Sequence, residues 1–152
     1  MIIEDLKELY KRDLSRLRSE IELYENDSTM WKIENSIKNS GGNLCLHIVG
    51  NLKTYIGNGL AKIGYVRQRD FEFSGKFVDK KDLLKEVDET IQVVIQGLSN
   101  LTDEQLNEKF PIVVWENETG MAYTILHLHA HLNYHLGQIN YHRRIIDSIQ
   151  TK

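Results

Sequence analysis

Between Ile3 and Tyr24 the apolar residues Ile3, Leu6, Tyr10, Leu14, Leu17, Ile21 and Tyr24 recur at steps of 3, 4, 4, 3, 4 and 3. That rhythm puts them on one stripe of a helix of about six turns. Glu4, Asp5, Lys7, Glu8, Lys11, Arg12 and Asp13 fill the opposite side and are expected to face water. Pro111 is the only proline in 152 residues, so nothing else in the chain forces a helix to break. The sequence predicts an all-α protein built by packing long helices.

Asn26–Ser28 breaks the first helix, and residues 30–39 carry no clear pattern. A second helix starts near Ser40 or Asn43 and runs to about Gly57, with Leu44, Ile48, Leu52 and Tyr55 as its stripe and His47 and Asn51 beside it. Residues 65–76 (YVRQRDFEFSGK) lack helical periodicity and read as an ordered loop. Asp79 then has the character of an N-cap for a third helix carrying Leu84, Val87, Ile91, Val94 and Leu98. Thr102 and Gln105 form a capping pair for a short helix ended by Pro111, and residues 112–115 read as extended. The last helix spans about 120–149 with the stripe Ile125, Leu128, Leu132, Leu136 and Ile139. Few polar residues interrupt it before Ile139, so it is expected to be central and buried on much of its circumference. Four long helices with short connections predict a four-helix bundle, a single domain over residues 1–152.

Net charge bears on partners. At −3 it argues against a basic surface for nucleic acid. The lone Cys45 excludes an internal disulfide, the N-terminus lacks the order of a signal peptide, and no apolar run reaches membrane-spanning length. These features predict a cytoplasmic protein without a membrane segment.

The chemistry lies in the last helix. His127, His129, His131, His135 and His142 fall within TILHLHAHLNYHLGQINYHR; only His47 lies elsewhere. His127, His131 and His135 are four residues apart, a step about 40° past one turn, and so share one side of the helix. A pair so spaced can offer two imidazole nitrogens to one metal ion, and His47 is the natural third ligand. Single histidines on apolar helices are usually core residues with satisfied hydrogen bonds. Several buried together each need a partner, and a shared ion supplies one to all. There is no H-E-x-x-H, and no carboxylate between Met121 and Arg144, which argues against a zincin and a di-iron carboxylate site.

Three strings then resemble a known family. His131-x-x-x-His135-x-Gly137-Gln138 resembles the H-x-x-x-H-x-G-Q motif of the DinB/YfiT-like superfamily. Residues 42–52 (GNLCLHIVGNL) are similar to its second-helix motif, and residues 67–73 (RQRDFEF) to a segment of its DUF1572-type subgroup. The resemblance implies an up-down-down-up four-helix bundle binding a divalent ion, zinc, nickel or iron, through His47, His131 and His135. His127 is outside that set and would stand behind a ligand, act as a fourth, or pack in the core; His129 and His142 would be uninvolved. Characterised relatives imply a transferase or isomerase using a low-molecular-weight thiol.

Three imidazoles leave the ion its charge and an open position, the pattern of a catalytic site. It would activate a thiol or water against a small electrophile, so the first reading is a metal-dependent thiol transferase or hydrolase with a small-molecule substrate. The alternative is a non-catalytic metal-binding stress-response or interaction protein, and a homodimer fits either. Gln138 and Asn51, each one turn from a ligand, would orient an imidazole or satisfy internal contacts. Arg67 and Arg69 are expected to pair with Asp70 or Glu72, the alternative being to hold an anionic substrate; Tyr134 and Tyr141 are expected to pack in the core, the alternative being to line a pocket, and Cys45 to be a buried hydrophobe. No residue stands out as a general base.

Overall fold

The stripe that begins the sequence folds as its spacing predicts. Helix α1 (Ile2–Leu23) buries Ile3, Leu6, Tyr10, Leu14, Leu17 and Ile21, and Tyr24 is buried just beyond its end. The computed structural model describes residues 1–77 and 79–150; of the predicted domain, Val78, Thr151 and Lys152 lie outside it. Among the described residues there are five α-helices and no strand.

Asp13 departs from expectation. It is fully buried. Its carboxylate accepts from Arg12 at 2.7 Å, Arg16 at 3.2 Å and Asn133 at 2.9 Å, and pairs with His129 at 2.8 Å. These donors replace water, which makes the burial tolerable. Burial pushes the carboxyl upward, but the bonds from Arg12, Asn133 and His129 outweigh it and lower its pKa to about 2.

Helix α2 (Gly41–Leu52) opens on Ser40, whose hydroxyl accepts from the Asn43 amide at 3.1 Å. All of its residues are buried. It does not stop near Gly57 but continues over Lys53–Ala61 in wider π-type turns, ending at Lys62 in the left-handed region. Asn58 ties down the loop that follows, bonding both backbone groups of Tyr65 at 2.8 and 2.6 Å.

The predicted loop at 65–76 contains helix α3 (Arg69–Ser74). Its six residues are too few to show a period, and α2 holds its end: the Asn43 side-chain Nδ2 donates to the carbonyls of Glu72 (3.1 Å) and Gly75 (2.9 Å). Helix α4 (Lys80–Ser99) is capped by Asp79 as predicted, through the Lys81 amide at 2.9 Å. Leu83, Val87, Thr90, Val94 and Leu98 are its buried line, with Leu84 and Ile91 at the edge. Gln105 accepts from the Thr102 amide at 2.9 Å, but the short helix is a 3-10 turn over Glu104–Asn107 that ends before Pro111. Residues 112–115 form no strand; a single bridge joins Lys109 to Gly120 instead.

Helix α5 (Met121–Gln150) buries Ile125, Leu128, Leu132, Leu136 and Ile139 against α1 and α2. The four long helices touch in the order α1, α4, α2, α5 and back to α1, and α2 also carries α3. Helix α5 is less enclosed than its composition suggests. Tyr134 and Tyr141 are 66% and 65% exposed, because α1 and α2 cover only one side of it. No helix is long and apolar enough to cross a membrane, the described residues being those searched.

Candidate metal centre

The α2–α5 contact is where the sequence motifs meet. His47 projects from α2, and His131 and His135 from successive turns of α5. The Nε2 atoms of His47 and His131 are 3.1 Å apart, and those of His131 and His135 also 3.1 Å. One nitrogen from each of the three lies within 4.8 Å of the others. Two nitrogens each about 2.1 Å from one ion lie roughly 3.0–3.4 Å apart, from right-angle to tetrahedral ligation, and the observed spacings fall within that range.

The outer nitrogens fix the tautomers. His47 Nδ1 lies 2.9 Å from Glu72 Oε1, and a carboxylate only accepts, so Nδ1 carries the proton. His135 Nδ1 donates likewise to Gln138 Oε1 at 2.7 Å. In its neutral form each ring therefore turns a bare Nε2 lone pair toward His131. One proton on His131 can point at only one of them, whereas a shared cation satisfies all three. The donor set fits a divalent ion on this chemistry.

Burial pushes the His131 pKa down to about 4, with added repulsion from His135 and His47. His135 is also lowered by burial, partly offset by Gln138. Both imidazoles are thus neutral near pH 7, the form that binds metal.

Glu72 is the functional residue that sequence reasoning missed. It is buried and held by Arg67, whose Nε and Nη2 reach Oε2 at 2.8 Å and Oε1 at 2.9 Å. Burial raises its pKa, but the bonds from His47 and Arg67 outweigh this and keep it below the usual glutamate range. Its approach to α2 depends on Gly50, where a Cβ would stand 2.3 Å from Glu72 Oε2. The only hint in the sequence was the expected Arg67 pairing, for which Glu72 was one of two candidates.

The other histidines separate cleanly. His127 is exposed and belongs to neither core nor cluster; its ring meets Trp115 edge-on at 4.5 Å and stacks on Tyr123 at 6.2 Å. His129 serves the buried Asp13. His142 Nε2 faces the Lys32 carbonyl at 2.7 Å and must donate there, so its Nδ1 accepts from Tyr24 at 2.6 Å. Cys45 is fully buried, and burial drives its thiol pKa far upward, so it is no nucleophile.

Two cavities flank the cluster. One, of about 280 Å³, reaches His47 and His131 and is bordered by Asn51, Tyr55, Arg67, Arg69, Trp115 and His127. The other, of about 500 Å³, reaches His135 and Gln138 between Leu44, Tyr134, Tyr141 and Ile145. Tyr134 and Tyr141, expected in the core with pocket lining as the alternative, border this second cavity.

The molecule is thus an all-helical protein with a three-histidine cluster able to hold a metal ion. It belongs to the DUF1572 family, proteins of unknown function, whose pattern it matches over residues 3–152. No curated protein and no solved structure gives a significant match.

Proposed function

We propose that residues 1–152 form a DinB/YfiT-like bundle that binds one divalent ion through His47, His131 and His135 and acts as a metal-dependent thiol transferase or hydrolase on a small electrophile. The observation that carries this reading is the convergence of three Nε2 atoms, two of them with their opposite nitrogens committed to Glu72 and Gln138.

Helix directions support the up-down-down-up order. Tyr10, Asp13 and Glu20 of α1 and Tyr24 just past its end meet Ile125, His129, Asn140 and His142 in that order, so α1 and α5 run together. The start of α4 lies at the end of α1, where Lys80 bonds the Tyr24 carbonyl, and Asp103 beyond its end bonds the Ile3 amide at 3.0 Å. Gly41 lies beside His142 and His47 beside His131, so α2 runs against α5.

A divalent ion so held supplies positive charge that lowers the pKa of a thiol or water and polarises a substrate oxygen. The chain does the rest. Glu72 and Gln138 fix the ring orientations of His47 and His135, and Arg67 keeps Glu72 ionised. The flanking cavities give a small molecule two approaches to the cluster. A non-catalytic role would be favoured by a fourth protein ligand closing the cluster, and His127, the candidate for it, stands outside.

Untagged protein purified without added metal should contain about one divalent ion per chain, measured by elemental analysis. His47→Ala and His135→Ala should each lose it. Thiol conjugation to a chromogenic electrophile should then depend on the ion and stop on chelation. An apo wild type that takes up no zinc or nickel would overturn the metal site; full occupancy with no thiol-transfer or hydrolytic activity would overturn the enzymatic reading.

A further inference from the structure

The smaller cavity beside His47 and His131 has an unusual lining. Asn51 borders it and is 8% exposed, yet its carboxamide makes no hydrogen bond to any described residue, and its Oδ1 is buried without a partner. A buried amide oxygen left unpaired has lost its water without a replacement, which is costly. Asn51 lies one turn after His47 on α2, so whatever pairs with it lies next to the cluster.

The charge at this cavity is one-sided. Arg67 and Arg69 both border it, and no carboxylate does. Arg67 is neutralised by Glu72. Arg69 has no acidic partner among the described residues; its guanidinium lies over the Phe73 ring at 5.9 Å, and Phe73 in turn packs on His47 at 5.0 Å. The cavity thus carries one uncompensated guanidinium, a fork suited to a carboxylate. A free amide offers both N–H donors and a carbonyl acceptor. Trp115 and Tyr55 give it walls, and its volume of about 280 Å³ limits the occupant to a small molecule.

We infer that this cavity binds a small carboxylic acid carrying an α-ammonium or α-hydroxyl group. Arg69 pairs with the carboxylate, and Asn51, by turning its amide, hydrogen-bonds the carboxylate and its α-substituent. The inference deepens the proposed function, since it assigns a chemical class to one reactant of that site, and it rests on that reading for the reactant role alone.

Four probes test it by calorimetry: L-cysteine, L-serine, L-lactate and cysteamine, the last lacking the carboxylate. The three acids should bind wild-type protein, and cysteamine about tenfold or more weakly than L-cysteine. Arg69→Gln should abolish that difference while leaving metal content unchanged. Asn51→Leu should weaken all three acids, and Asn51→Gln should restore part of the loss. Equal affinity for L-cysteine and cysteamine in the wild type, a difference that survives Arg69→Gln, or no binding of any acid would overturn the inference. L-serine separates it from the metal reading. Binding of L-serine that is lost in Arg69→Gln, in protein shown to hold no metal, would uphold the carboxylate site while removing the metal site.

Discussion

His47 is held from behind by a carboxylate and His135 by an amide, and the two supports differ in kind. Glu72 is ionised, buried and forked by Arg67, so it both orients the His47 ring and makes its Nε2 a stronger base. In Glu72→Gln the amide oxygen can still accept from Nδ1, but the negative charge is gone and Arg67 loses its counter-ion. Metal affinity should fall about 10–100-fold, read by competition with a chromophoric chelator, with helix content unchanged. Unaltered affinity would mean that Glu72 serves only the loop. At this scale the sequence disclosed unequal amounts. His131 and His135 were legible because their ligand geometry is local, one helical turn on one side. Glu72 was not, because its link to His47 crosses 25 residues and depends on how α3 lies on α2. The role of His129 was equally hidden, since nothing local says that Asp13 on a charged face is buried 116 residues away from it in sequence.

Helix α3 shows why short elements escape periodicity. Its six residues expose most of their side chains, and its position comes from Asn43 bonding its carbonyl end and from Glu72 reaching across Gly50. The long helices carried their own periods and were legible almost to their caps, with Ser40 and Asp79 as clear signals. The π-type continuation over Lys53–Ala61 was not, because glycine and asparagine also spell a stop. Gly50→Ala tests how α3 is placed. Alanine favours the helix by about 1 kcal/mol over glycine, so a residue with room for it should stabilise α2. Here the new Cβ would meet Glu72 Oε2 at 2.3 Å, and the carboxylate end is what can yield. The expected outcome splits two readouts: thermal stability of the metal-free protein changes little, while metal affinity falls about tenfold as the His47–Glu72 bond is strained. A variant with raised stability and intact affinity would show that Glu72 needs no such closeness.

Over the whole molecule, fold and site are coupled through protons. An unfolded imidazole binds its proton near pH 6.5, whereas burial holds His131 in the metal-free fold at about 4 and lowers His135 and His142 as well. Between those values the unfolded chain binds more protons than the folded one, so stability must fall as pH falls. His131 alone removes at most of order 3 kcal/mol between pH 6.5 and 4, a large share of a typical domain's stability. Asp13 acts in a lower window. Its pKa of about 2 keeps its contribution intact down to about 4, and that contribution is lost only below. The first acid destabilisation therefore belongs to the imidazoles. A bound ion works against it, because it binds only neutral imidazoles and only the folded chain, stabilising by about 4 kcal/mol at a thousandfold excess over its Kd. Its advantage is largest where those rings are neutral and shrinks as protons compete. Thermal unfolding from pH 8 to pH 4, with excess zinc and with chelator, should give two curves that are far apart at pH 8 and draw together as pH falls toward about 4, where His131 takes up its proton. In His135→Ala the curves with zinc and with chelator should coincide at every pH. A gap that stays constant with pH would place the stabilising ion on carboxylates instead, and no gap at any pH would leave the three histidines without an ion to share.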